Sequence, residues 1–179
     1  MKSKKKKKEV NLNVLPLLAS AQVSEGSIEC AGWLNNEEVV TGSSQHRMTI
    51  TNVTRMAVSE TFLTRDSVVS SLDCTDTLIL SAHEDGQIRL WDRRVSSKPS
   101  STFKAHSKWT SSVRFNPRLP HHFCSGSHDR TLKLWDARCG FPLQNIQAEQ
   151  EKVLTTEWVG EQQVVSGGSD AKLHLHSAR

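Results

Sequence analysis

Tyrosine is absent from this 179-residue chain, and five tryptophans with five phenylalanines bring aromatic residues to only 6%. Cysteine is scarce as well. Cys30, Cys74, Cys124 and Cys139 show neither the paired spacing of a disulfide framework nor a Cys/His metal pattern, so reduced thiols are expected. His121 and His122 stand near Cys124, but adjacent histidines in a turn after Pro120 lack a second half-site; no metal and no other cofactor is expected. Long apolar runs are missing. The patch at 14–18 is much too short to span a bilayer, and the lysine-rich start is not followed by the apolar stretch of a secretory leader. The expectation is an intracellular, soluble chain with no membrane partner. No stretch carries a sustained helix-period pattern, which points to an all-β body.

What the chain does have is one phrase written more than once. Leu80-Ser81-Ala82-His83-Glu84-Asp85-Gly86-Gln87-Ile88-Arg89-Leu90-Trp91-Asp92 is matched further on by Cys124-Ser125-Gly126-Ser127-His128-Asp129-Arg130-Thr131-Leu132-Lys133-Leu134-Trp135-Asp136. A weaker copy keeps Ser166 and Asp170 but has His176 where the others have Trp, and a degenerate one around Thr41 keeps only the hydroxyl. The hydroxyl residues Thr41, Ser81, Ser125 and Ser166 follow one another at 40, 44 and 41 residues, the period of propeller blades that end in Trp-Asp. Alternating apolar and polar positions around Asp-Gly or Asp-Arg encode strands joined by hairpins. Strands are predicted over 110–115, 123–127, 131–135 and 141–146, with parallel readings over 68–72, 78–82 and 88–91, and over 153–158, 163–167 and 172–176. The last group lacks a fourth strand. The expected architecture is a partial WD-repeat β-propeller, four blades of a roughly seven-bladed ring. Residues 28–179 would form the blades, and 1–27 a basic run and connector with an outer strand near its middle. An arc of blades leaves unpaired edges, so an N-terminal half is expected to be missing or supplied elsewhere.

The formal charge of +4 is unevenly spread. Six lysines lie within residues 2–8, so residues 9–179 carry a net −2, and the body is no general basic surface for nucleic acid. The run Lys4, Lys5, Lys6, Lys7, Lys8 reads as a solvated tail, or as a nuclear-import or RNA-contact element.

His106, Ser125 and Asp129 are the residue types of a serine hydrolase. However, Ser125 lies inside an apolar strand run rather than on an exposed Gly-x-Ser-x-Gly turn, so no enzyme is expected. The same three residues can chain to the donor-only indole of Trp135 in a buried, satisfied network. That arrangement resembles the structural tetrad of the WD-repeat family. By the same resemblance Ser81, Asp85 and Trp91, and Ser166 and Asp170, are tetrad members of other blades. The position matching His106 falls near Arg65 or Asp66 in one of these and at Glu149 in the other, and blades that lose members are expected to be locally softer.

An ordered set of segments goes beyond the fold. It comprises the lysine run, Trp33, Val39-Val40-Thr41-Gly42-Ser43, Ile88 to Arg94, and Ala105-His106-Ser107-Lys108-Trp109. It continues with Cys124 to Ser127, Leu134 to Arg138, Glu151-Lys152-Val153-Leu154 and Ser166 to Leu173. In this order they resemble the C-terminal half of the WD-repeat subunit of the PeBoW ribosome-assembly complex. The resemblance implies a scaffold for large-subunit rRNA maturation in the nucleus and nucleolus. Its implied partners are block-of-proliferation and pescadillo-like proteins and the pre-ribosomal particle. Loops at a propeller face carry binding residues, which makes Lys108, Trp109, His128 and Lys152 the partner-binding candidates. Trp91-Asp92-Arg93-Arg94 and Trp135-Asp136-Ala137-Arg138 also resemble the Trp-Asp-x-Arg box of cullin ubiquitin-ligase substrate receptors, so an adaptor role is the alternative.

Overall fold

The computed structural model describes residues 19–65, 67–95, 98–148 and 150–178. Within them the chain forms β-strands in four antiparallel sheets, each a meander in chain order. The first blade is β1 (Ile28–Trp33), β2 (Glu38–Ser43), β3 (Arg47–Asn52) and β4 (Ala57–Leu63). The second is β5 (Val69–Cys74), β6 (Leu78–His83), β7 (Gln87–Asp92) and β8 (Ser101–Lys104). The third is β9 (Thr110–Phe115), β10 (His122–Ser127), β11 (Thr131–Asp136) and β12 (Pro142–Gln147). The fourth has β13 (Val153–Val159), β14 (Gln163–Gly168) and β15 (Leu173–Ser177), with no outer strand among the described residues. The strand expected in the connector lies largely outside the described residues; 19–27 hold none.

The hairpin between the second and third strands of every blade turns through a left-handed residue: His46 (φ 57°), Gly86 (φ 79°), Arg130 (φ 73°) and Ala171 (φ 60°). The preceding aspartate makes this bearable where it is present. Asp85, Asp129 and Asp170 each accept the N–H two residues on, from Gln87 (2.9 Å), Thr131 (3.0 Å) and Lys172 (3.1 Å). At Gly86 a Cβ would also lie within 2.9 Å of the Lys108 carbonyl and closer still to that of His106. Glycine is needed there for space as well as for φ.

Both faces of an inner blade are buried, which is why runs such as Leu78-Ile79-Leu80 are apolar without alternation. Ile79 and Trp91 of the second blade pack against Val40, Met48, Ile50 and Phe62 of the first. Leu80, Ala82, Ile88, Leu90 and Phe103 pack the opposite way, against Val113, Phe123 and Trp135 of the third. A smaller layer of Cys124, Leu132, Leu134, Val153 and Val164 joins third to fourth. Inner strands are also stitched by serines: Ser70 donates to the Thr110 carbonyl, and Ser111 to that of Val153 at 2.7 Å. The outer edge, β15, leaves Leu173 and Leu175 at 74% and 58% exposure.

Candidate functional site

The third blade assembles the network anticipated for it. Antiparallel pairing of β10 with β11 sets Phe123 opposite Trp135, so Ser125 lies two residues along on the same face as the indole. Trp135 Nε1 donates to Ser125 Oγ at 2.9 Å, and His106 Nε2 lies 2.8 Å from the same oxygen. His106 Nδ1 faces Asp129 Oδ2 and Thr131 Oγ1, each at 3.1 Å. A carboxylate can only accept, so Nδ1 carries the proton, Nε2 accepts the Ser125 hydroxyl, and that oxygen receives the indole N–H. Asp129 also accepts from the Ser107 and Thr131 amides (3.1 and 3.0 Å). Burial pushes its carboxyl pKa up, but the hydrogen bonds from His106 and Thr131 outweigh this and hold it well below the usual range.

The Ser–His–Asp order is thus the order of a hydrolytic triad, and the difference is access. Ser125 and the His106 side chain are both 0% exposed, and the serine oxygen is already an acceptor for Trp135. A nucleophile needs a reachable electrophile and donors placed for the developing oxyanion. Neither can be brought to a fully enclosed hydroxyl.

The second blade departs from the sequence expectation. Thr64, not Arg65, takes the backbone place of His106: its N–H donates to His46 O at 2.9 Å, as His106 N–H donates to Gly86 O at 2.9 Å. The Thr64 hydroxyl folds back onto the Ser67 carbonyl (2.8 Å), and Asp66 lies outside the described residues. The imidazole comes from the strand instead. His83, two residues after Ser81 on β6, lies 2.8 Å from Ser81 Oγ, which accepts the Trp91 indole N–H at 2.8 Å. Asp85 turns to Arg89 (2.6 Å) rather than to a histidine. Burial first, then the Arg89 charge, lowers the His83 pKa to about 3, so it is neutral. The repeat alignment already set His83 at the place of Ser127; a histidine two residues along the strand from the network serine was the signal. The blade therefore does not lose its histidine but draws it from another element.

In the fourth blade His176 replaces the indole, with Nε2 2.9 Å from Ser166 Oγ. Asp170 lies 3.7 Å from His174, on the strand, and Glu149 is outside the described residues. The first blade retains only Thr41, whose hydroxyl meets the Thr49 carbonyl at 3.4 Å, and Thr51 stands where the indole would be.

On the rim beside these turns, one backbone link recurs in each blade. Ser44, Glu84, His128 and Ser169 donate to the carbonyls of Ser27, Val68, Trp109 and Lys152 at 3.0, 3.3, 2.9 and 3.1 Å. In the third blade the two side chains at this slot stack: the Trp109 and His128 rings lie 5.6 Å apart at 15°, with Trp109 50% exposed. Burial, then the charges of Lys152 and Lys108, pushes the His128 pKa down. All four partner-binding candidates thus share one neighbourhood. The lysines at 4–8 lie outside the described residues. The arginines of the Trp-Asp-x-Arg segments are spent locally: Arg94 grips Asp92 (2.9 and 2.7 Å) and Arg138 grips Asp136 (2.9 and 2.6 Å), closing the turn after the third strand.

Comparison with known proteins agrees with this geometry. The model of the WD domain, G-beta repeat, matches residues 56–92 and 97–136. A ribosome biogenesis protein, the WDR12 homolog of Dictyostelium discoideum, is 31% identical over 94% of this chain and 40% of its own length. The homolog from Ixodes scapularis is 32% identical over 97% of this chain and 42% of its own. The chain is similar to these ribosome biogenesis proteins along nearly its whole length and carries WD repeats. It spans about two fifths of the length of these relatives. Among solved structures, the computationally designed Ika4 protein superposes with a TM-score of 0.80 over 92% of this chain and 99% of its own, at 20% identity. A chain of the mitotic checkpoint complex does so at 0.74 over 79% and 44%, also at 20% identity. Both likenesses concern the fold alone. The alternative of a ubiquitin-ligase adaptor gains no support from the relatives.

Proposed function

We propose that the chain is a non-enzymatic WD-repeat scaffold in ribosome biogenesis, serving large-subunit rRNA maturation within a PeBoW-like assembly. The observation that carries the reading is the match to ribosome biogenesis proteins over nearly the whole chain. The network around Ser125 supports it, because this constellation of catalytic residue types is enclosed and internally satisfied. Block-of-proliferation and pescadillo-like proteins would be the direct partners, with the pre-ribosomal particle reached through them. The nucleus and nucleolus would be the place of action, the lysine run acting in import or in contact with RNA. The net −2 of residues 9–179 favours protein contact over direct recognition of phosphates by the blades.

Depletion of the protein in its native cell tests this reading. Precursors of the large ribosomal subunit are expected to fall while those of the small subunit are spared, and affinity purification is expected to recover a pescadillo-like protein. Normal large-subunit processing after depletion would overturn it.

A further inference from the structure

The rim slot that recurs in every blade is filled by Ser27 and Ser44, Val68 and Glu84, Trp109 and His128, and Lys152 and Ser169. Only the third blade places two aromatic rings there. Trp109 keeps half its surface in water, although its carbonyl is fixed by the His128 N–H at 2.9 Å and the Ser127 hydroxyl at 2.7 Å. The ring is therefore held out on rigid backbone. A large apolar surface left in water in this way is stabilised when a partner covers it, and tryptophan is a preferred anchor at such contacts. Lys108 precedes it in the chain, and Lys152 occupies the slot of the neighbouring blade, next to Val153, whose carbonyl accepts the hydroxyl of Ser111, two residues after Trp109, at 2.7 Å. Both lysines are exposed and form no ion pair among the described residues, whereas other basic residues, such as Arg93, Arg94 and Arg138, are spent on acids nearby.

We infer that Lys108, Trp109, His128 and Lys152 form a docking surface for an acidic protein segment whose carboxylates flank an aliphatic or aromatic side chain. The apolar side chain lies on the open face of the Trp109–His128 stack, and the carboxylates meet the two lysines. A peptide suits the rim better than single-stranded RNA. Glu84 sits at the adjoining slot and Glu151 beside Lys152, where a polynucleotide cannot omit its phosphates but a peptide can space its carboxylates. This surface rests on the scaffold reading, and it names the chemistry of what the scaffold holds.

The test titrates the full chain with a fluorescein-labelled peptide alternating aspartate or glutamate with leucine and phenylalanine. A peptide with lysine for each acid and a fluorescein-labelled oligouridylate serve as comparisons. The acidic peptide is expected to bind and to weaken with salt. Trp109→Ala and the pair Lys108→Glu with Lys152→Glu are each expected to lower its affinity about tenfold or more, with denaturant midpoints unchanged. Equal binding of acidic and basic peptides, or variants that bind like the parent, would overturn the proposal; so would oligouridylate binding lost in the same variants, which would assign the surface to RNA. Rescue of a depleted cell separates the two readings. Full rescue by the Lys108→Glu, Trp109→Ala, Lys152→Glu chain would sink this surface and leave the scaffold role standing. Peptide binding in a chain whose depletion spares the large subunit would do the reverse.

Discussion

His83 lies 2.8 Å from the hydroxyl of Ser81, two residues back on its own strand, the same distance at which the loop residue His106 meets Ser125 one blade later. The two blades reach one end, an imidazole against a serine that also holds a tryptophan N–H, by different routes. Their electrostatics differ as a result. His106 points its second nitrogen at Asp129, whereas His83 lies near Arg89, which has taken Asp85 for itself.

Replacing His106 by Ala is expected to lower the stability of the chain by roughly 1–3 kcal/mol, because the buried Ser125 hydroxyl would lose its acceptor and Asp129 one of its donors. Chemical denaturation followed by tryptophan fluorescence measures this. An unchanged midpoint would mean that the network contributes nothing net.

The acid limb of stability is expected to carry a His83 component. Its folded pKa of about 3 lies below the ordinary 6.5, so above pH 6.5 it is neutral folded or unfolded and contributes no slope. Between those values the unfolded chain takes up a proton that the folded chain refuses. Stability therefore falls as pH falls, by up to about 1.4 kcal/mol per pH unit for this one group. In His83→Gln that component is absent. Denaturation midpoints at pH 7 and pH 5 are expected to differ less in the variant than in the parent; parallel losses would refute the assignment.

Gly86→Ala and Ala171→Gly change the same turn position in opposite senses. The first places a Cβ at φ 79° against the carbonyls of the loop that carries His106, and is expected to cost more than about 1 kcal/mol. The second relieves a non-glycine residue at φ 60° and is expected to be neutral or stabilising by a few tenths to about 1 kcal/mol. Thermal or denaturant unfolding of both variants reads the difference in sign, which a general sensitivity of these turns to mutation would not produce.

Periodicity determined a great deal about this protein: the four-blade arc, the three strand signals of the last blade and, in the third blade, the relation of Ser125, Asp129 and Trp135. Each of these follows from spacing within a blade, where strand alternation and the Asp-led hairpin turn decide which residues share a face. The strands β1, β4 and β8 were less legible, since they lack the serine and tryptophan markers and their residues are half exposed. What only the tertiary structure decided concerns relations between loops and between blades. The loop at 64–67 holds no histidine, and only the fold shows that His83 on β6 supplies the imidazole in its place. The approach of Lys152 from the next blade to His128 depends on how neighbouring sheets pack. That packing is set by the apolar layers between blades, through side chains far apart in the chain, and no local pattern records it.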